Sequence, residues 1–193
     1  MTKLAIFASG SGTNAEAIVR ATQQGDLDAE VAVIITDKPK AKVIDRATMY
    51  HIPYVIADPK QFESKADFEK HLILELRKKD VELVVLAGYM RLVGTTLLSA
   101  YEGRIVNIHP SLLPSFPGLD AIGQAFNAKV KITGVTIHYV DAGMDTGEII
   151  TQEPVRIEEN DTVDSLQKKI QNVEHKLYPK TIQMIIDRAK EVG

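Results

Sequence analysis

The feature that most limits what this chain can fold into is the alternation of two kinds of segment along its first half. Short apolar runs, Leu4–Ala8, Val31–Thr36, Tyr54–Ala57 and Leu83–Ala87, are separated by amphipathic stretches, Thr13–Gln24, Lys42–Tyr50 and Ser64–Lys79. The apolar runs are too short to be buried helices. They lack the in-and-out alternation of half-exposed strands, so they read as strands covered on both faces, as in parallel sheets. The stretches between them carry helical periodicity: Ala17, Ile18 and Ala21 share a face, and Phe68, Leu72 and Leu76 recur at i, i+4, i+8. Strand–helix–strand repetition requires right-handed crossovers. The predicted fold class is α/β, a doubly wound, Rossmann-like and mostly parallel sheet with helices on both faces.

The second half has a different texture. Arg104–His109 is another strand, followed by a loop holding Pro110, Pro114, Pro117 and Gly118 that cannot continue a ladder. Gly134–Asp141 alternates Val135, Ile137 and Tyr139 with Thr136, His138 and Val140, as a more exposed or an antiparallel strand does. Glu148–Val155 is a further strand. A long helix starts near Thr162 and carries Leu166, Ile170, Val173 and Leu177, with Pro179 expected to kink it. Antiparallel strands are therefore expected in the C-terminal half. At 193 residues the chain is expected to be a single domain, 1–193, with residues 1–103 forming a phosphate- or nucleotide-binding half.

Composition removes several classes of function. Lys and Arg number 23 against 26 Asp and Glu, a net charge of −3, which leaves no excess field to hold a polyanion, so no nucleic-acid partner is expected. There is no cysteine, which excludes disulfides, zinc–thiolate sites and thiol nucleophiles and fits a cytoplasmic location. Neither a basic leader nor a long apolar tract is present, so neither a signal peptide nor a membrane span is expected.

Two segments carry chemistry. Ser9-Gly-Ser-Gly-Thr-Asn14 lies where the first strand hands over to the first helix, at the carboxyl edge of a parallel sheet, where ligands bind. Gly10 and Gly12 permit close backbone approach, and the first-turn N–H groups of the helix suit a phosphate. Gly10-x-Gly12-x-x-Ala15, with Asp37 after the second strand, also satisfies the loose dinucleotide fingerprint. The turn alone leaves open an NAD-linked oxidoreductase and a single phosphate monoester. The second segment is Asn107-Ile-His109-Pro-Ser-Leu-Leu-Pro114, whose Asn107 and His109 lie two apart on a strand and so share a face. Downstream, Asp145 sits between Gly143 and Gly147 in a loop able to project its carboxylate. An amide donor, an imidazole and a carboxylate suit polar group transfer: oxyanion stabilisation, proton relay and charge support. No Gly-x-Ser-x-Gly elbow is present. His109, His138 and Asp145 could form a two-His–one-carboxylate site, but no tight metal-ligand spacing supports it, and no metal is expected. His138 reads as a satisfied wall residue, and His51 and His71 as surface residues.

Taken together, the Ser9–Asn14 turn, Leu86-Ala-Gly-Tyr-Met-Arg91, Asn107–Pro114, Pro117-Gly-Leu119, Gly134–His138, Asp141–Gly147 and Glu174-His-x-x-Tyr178-Pro179 resemble the folate-dependent formyltransferases over nearly the whole chain. The resemblance implies the formyltransferase fold, with residues 104–193 as the folate-binding and catalytic half. It implies Asn107, His109 and Asp145 as catalytic residues. Gly12, Thr13 and Asn14 would hold the 5′-phosphate of a ribonucleotide, and Glu174 the glycinamide end. Met90, Arg91, Leu92 and Val93 would lie against the pteridine of the co-substrate 10-formyltetrahydrofolate. Asp141, Ala142, Gly143, Met144 and Asn107 would continue that pocket, and Lys65 would add positive charge where some members carry Arg. The Ser-Gly-x-Gly-Thr-Asn turn favours the branch that formylates glycinamide ribonucleotide in purine synthesis. Formyltetrahydrofolate hydrolase is the alternative within the superfamily. Chain length is expected to separate these from members with added regulatory or tRNA-binding domains. Pro117-Gly-Leu-Asp120-Ala-Ile-Gly-Gln124 departs from members with histidines after Pro-Gly-Leu, so no role of theirs transfers. The expected partners are small-molecule substrates, and a homodimer is compatible with the reading.

Overall fold

The computed structural model describes residues 1–193 and joins the predicted runs into one seven-stranded sheet. The strands are β1 (Thr2–Phe7), β2 (Ala29–Thr36), β3 (Tyr54–Ile56), β4 (Leu83–Leu86), β5 (Ile105–His109), β6 (Ile132–Tyr139) and β7 (Ile149–Arg156). Their spatial order is β3-β2-β1-β4-β5-β6-β7. The first five run parallel, whereas β6 is antiparallel to β5 and β7 is antiparallel to β6. Strand order reverses between β1 and β4, and at such a switch point the loops at the carboxyl ends diverge and leave a crevice.

Helices cover both faces, because apolar side chains leave each parallel strand on both sides. The helices are α1 (Thr13–Gln24), α2 (Val43–Met49), α3 (Lys65–Lys78), α4 (Thr95–Ala100), α5 (Ala121–Asn127) and α6 (Val163–Val192). Leu4, Ile6, Val85, Val106 and Ile137 pack with Ile18 of α1, Val43 of α2 and Ile170 and Ile182 of α6 in one core. Ala5, Phe7, Val84 and Ile105 pack with Phe68, Leu72 and Leu76 of α3 and Leu97 of α4 in the other.

Two features depart from the sequence expectation, and a third adds detail to it. The alternating strand β6 is antiparallel as expected but mostly buried, because α6 and the proline loop cover it. Pro179 lies inside α6 without ending it; Tyr178, Ile182, Ile185 and Ile186 hold the second half of the helix against the sheet. The short helices α4 and α5 carry too few residues for a periodic signal. Helix α4 is started from a distance, by the buried Glu69 of α3, which accepts from the N–H groups of Gly94 (2.7 Å) and Leu97 (3.2 Å). Such a carboxylate also opposes the positive end of the helix dipole.

Tyr178 ties α6 to the middle of the sheet. Its ring is fully buried and its hydroxyl donates to the carbonyls of Leu86 (2.7 Å) and Val106 (3.3 Å), on neighbouring strands β4 and β5. Tyr178→Phe keeps the ring and removes only the donor. It is expected to lower stability by about 1–2 kcal/mol, read in urea unfolding as a lower midpoint with an unchanged slope.

Candidate active site

The turn after β1 leaves donors free. Gly12 stands at the N-cap of α1 with φ 74°, and no side chain caps the helix, so the first-turn N–H groups face outward. A Cβ at Gly12 would lie 2.5 Å from Val43 Cγ2, so the position requires glycine for space as well as for conformation. Thr13 opens the helix on its outer side, and Asn14 turns inward, where its Nδ2 donates to Glu174 Oε2 at 2.8 Å. That bond joins residues 160 apart in the chain. Glu174 is buried, and desolvation raises its pKa above 4.5, partly opposed by the Asn14 bond.

The strand pair β5 and β6 supplies the polar centre. Ile105, Asn107 and His109 share one face of β5: Ile105 still belongs to the core under α3 and α4, and the other two continue that face beyond the core. Asn107 stands directly opposite His138, and His109 opposite Thr136, in the antiparallel register. Directly opposed residues present their side chains to the same face, and Asn107 Nδ2 lies 3.2 Å from His138 Nε2. The hydrogen-bond partners set both imidazole tautomers, since a carbonyl can only accept. His138 Nδ1–H donates to the Tyr139 carbonyl (2.8 Å), so its Nε2 accepts from the Asn107 amide. His109 Nε2–H donates to the Phe116 carbonyl (2.9 Å), which leaves Nδ1 as the nitrogen open to the site.

The Asp145 carboxylate faces that nitrogen. Its Oδ2 lies 3.5 Å from His109 Nδ1 and accepts from the Gly118 N–H at 2.9 Å, while Oδ1 is 3.9 Å from His138 Nε2. Asp145 itself adopts φ 55°. The loop before it is closed by Asp141, which accepts from the Thr146 hydroxyl (2.7 Å) and the Gly143 N–H (2.9 Å); these two bonds, the hydroxyl's first, lower its pKa.

These groups open into a cleft of about 470 Å3 at the carboxyl edge of the sheet. It brings together Asn14, Met90, Arg91, Leu92, Val93, Asn107, His109, Asp141, Gly143, Met144, Asp145 and Glu174 from the sequence-predicted set. Gly12, Thr13, Ala142 and Lys65 do not line it. Lys65, exposed at the start of α3, borders an adjoining hollow of about 490 Å3 that shares the 89–93 wall. A larger groove between α1 and α6, about 1450 Å3, is lined mainly by polar and charged side chains and lacks the Asn107, His109 and Asp145 cluster.

Two residues have partners that sequence reasoning did not assign. His138, read as a wall residue, is indeed buried and satisfied at Nδ1, but its other nitrogen holds the Asn107 amide. The polar face of the alternating strand was the signal; only the strand register turns it into a contact. Asp37, which the NAD-linked alternative would have used for a ribose hydroxyl, is 3% exposed and already taken: Oδ1 accepts from the Ser9 hydroxyl (2.6 Å) and Oδ2 from Arg91 Nε (2.9 Å). No cluster of three or more His, Cys, Asp or Glu is placed to hold a metal ion, and no helix is long and apolar enough to cross a membrane.

The cleft combines an amide donor, an imidazole with one open nitrogen, a carboxylate behind it and, at one end, Asn14 from the first turn of α1. Residues 2–182 match the formyl transferase family model. The chain belongs to the formyl transferase family. Among its relatives, a phosphoribosylglycinamide formyltransferase of Bacillus subtilis is 54% identical over 186 residues, covering 96% of this chain and 95% of that protein. The trifunctional purine biosynthetic protein adenosine-3 of Gallus gallus is 37% identical, and this chain spans 19% of its length. The crystal structure of phosphoribosylglycinamide formyltransferase from Bacillus halodurans superposes with a TM-score of 0.94 at 61% identity, over 97% of both chains.

In this formyl transferase, Glu174 yields a stability prediction with a definite sign. Its folded pKa is raised by burial, so the protonated carboxyl is the better-tolerated form and the charged form weakens the fold as pH rises above the unfolded value of 4.5. Glu174→Gln keeps an acceptor for Asn14 without the charge. The variant is expected to melt higher than wild type at pH 7–8 and equally with it below about pH 4, where both side chains are neutral. Thermal melts across that range check it.

Proposed function

We propose that this chain transfers the formyl group of 10-formyltetrahydrofolate to the primary amine of 5′-phosphoribosylglycinamide, yielding N-formylglycinamide ribonucleotide and tetrahydrofolate in purine synthesis. The observation that carries the reading is the meeting of Asn107, His109 and Asp145 in one cleft that Asn14, from the uncapped first turn of α1, also lines. The Bacillus subtilis and Bacillus halodurans relatives, both phosphoribosylglycinamide formyltransferases, support it.

In the proposed mechanism the acceptor phosphate lies on the N–H groups at Gly12, Thr13 and Asn14, where the helix dipole favours an anion. Glu174, held by Asn14, contacts the acceptor nearby. The donor lies along Met90, Arg91, Leu92 and Val93, with Asp141, Ala142, Gly143 and Met144 on the opposite wall and Lys65 offering charge at the far end. The amine nitrogen attacks the formyl carbon, forming the new C–N bond and a tetrahedral intermediate whose oxygen gains negative charge. One N–H of Asn107 is committed to His138, so the second is the one aimed at that oxygen. Protonated His109, its Nε2–H held by the Phe116 carbonyl, brings its positive charge beside that oxygen, and Asp145, facing Nδ1, stabilises the imidazolium. Collapse breaks the bond to the folate nitrogen N10. The proton lost by the amine reaches N10, with Asp145 and His109 moving it. Atoms balance without a covalent enzyme intermediate.

An absorbance assay for deformylated folate tests the reading. Tetrahydrofolate is expected to be released only when glycinamide ribonucleotide is present. Release at the same rate without it would mark a hydrolase and overturn the proposal. Asp145→Asn is expected to lower kcat about a hundredfold or more while both KM values stay within a few-fold; turnover close to wild type would remove Asp145 from the mechanism.

A further inference from the structure

Asp37 is a buried carboxylate that the proposed chemistry does not use, and its contacts lead straight to the wall proposed to hold the donor. Its side chain is 1% exposed, while that of Arg91 is 37% exposed. Asp37 Oδ2 accepts from Arg91 Nε at 2.9 Å, and Arg91 makes no other hydrogen bond or ion pair. Tied at Nε, the guanidinium has no partner at its terminal nitrogens, and Arg91 lines both the main cleft and the hollow beside α3. Asp37 Oδ1 accepts from the Ser9 hydroxyl at 2.6 Å, and the Ser9 oxygen in turn accepts from the Met90 N–H at 2.9 Å. The Ser9 N–H donates to the Gly88 carbonyl at 3.1 Å. One carboxylate at the end of β2 therefore fixes the segment 88–91 twice, through a side chain and through a main-chain amide.

We propose that Asp37 is a positioning residue for the formyl donor: it holds Arg91 and Met90 in their donor-binding arrangement before the donor arrives. The inference rests on the proposed formyl transfer and on residues 90–93 meeting the folate. A guanidinium free to rotate would have to be ordered on binding, and preorganisation removes that penalty. The consequence is specific to one substrate. Loss of Asp37 charge weakens the donor and leaves the ribonucleotide, on the far side of the cleft, unaffected.

Asp37→Asn separates the two branches. Its amide oxygen can still accept from Ser9, but its NH2 faces Arg91 Nε–H, so only the guanidinium is released. The expected result is a KM for 10-formyltetrahydrofolate raised about tenfold, with kcat and the ribonucleotide KM within twofold of wild type. Arg91→Met is expected to raise the donor KM similarly, and Asp37→Asn added to Arg91→Met to change it less than twofold further, as expected of residues acting through one another. Arg91→Lys, at a partly exposed position that should tolerate it, keeps the test decisive if Asp37→Asn folds poorly. A single ammonium cannot both pair with Asp37 and reach the donor, so its donor KM should also rise. An unchanged donor KM in Asp37→Asn, equal rises in both KM values, a full effect surviving in Arg91→Met, or wild-type behaviour of Arg91→Lys would each overturn the proposal. Calorimetric titration of the wild type with tetrahydrofolate separates the two levels. If it neither binds nor transfers formyl, the functional reading falls and this one with it; if it does both while the variants behave as wild type, only the role of Asp37 falls.

Discussion

The carbonyl oxygen of Phe116 can only accept a hydrogen bond, and this constraint organises the centre of the molecule. It holds the proton of His109 on Nε2 and turns Nδ1 toward the Asp145 carboxylate, 3.5 Å away. Phe116 also accepts from the Ser111 hydroxyl, so the same oxygen closes the proline loop upon itself. Asp145 is anchored independently by the Gly118 N–H from that loop. Imidazole and carboxylate are thus set against each other by main-chain groups of one loop.

The rest of the fold supports that arrangement from beneath. Parallel strands β1, β4 and β5 bring the phosphate-type turn, the 88–93 wall and the Asn107–His109 face to one edge. The reversal into antiparallel β6 brings a second imidazole alongside. His138 spends Nδ1–H on the Tyr139 carbonyl and therefore presents a bare nitrogen to Asn107, which orients the amide. In the proposed reaction this sets a donor, and not a carbonyl, toward the developing charge.

How much of this could be read from the sequence depends on how local each cause is. The parallel sheet was legible because burial on both faces leaves unbroken apolar runs such as Leu83–Ala87. The pairing of Asn107 with His109 was legible because two residues apart on a strand means one face. Asp145 was not legible from its own loop; it stood out through its combination with Asn107 and His109 as a set for polar group transfer, then through the resemblance to the formyltransferases, and in the structure it contacts Gly118 and His109. His138, Asp37 and the start of α4 depend on the register of β5 with β6, the approach of the residue after β2 to the 88–91 segment, and the placement of Glu69. Those are properties of the assembled chain.

The central claim is that the Asp145 carboxylate and the open nitrogen of His109 act as one unit on a formyl group held beside Asn107. A crystal structure with glycinamide ribonucleotide and a non-transferable folate analogue tests it most directly. The account predicts the carboxylate within hydrogen-bond distance of Nδ1, about 3 Å, with the acceptor amine and the formyl-equivalent atom on the face shared by Asn107 and His109. A carboxylate swung out of contact, or an acceptor amine bound away from that face, would contradict it.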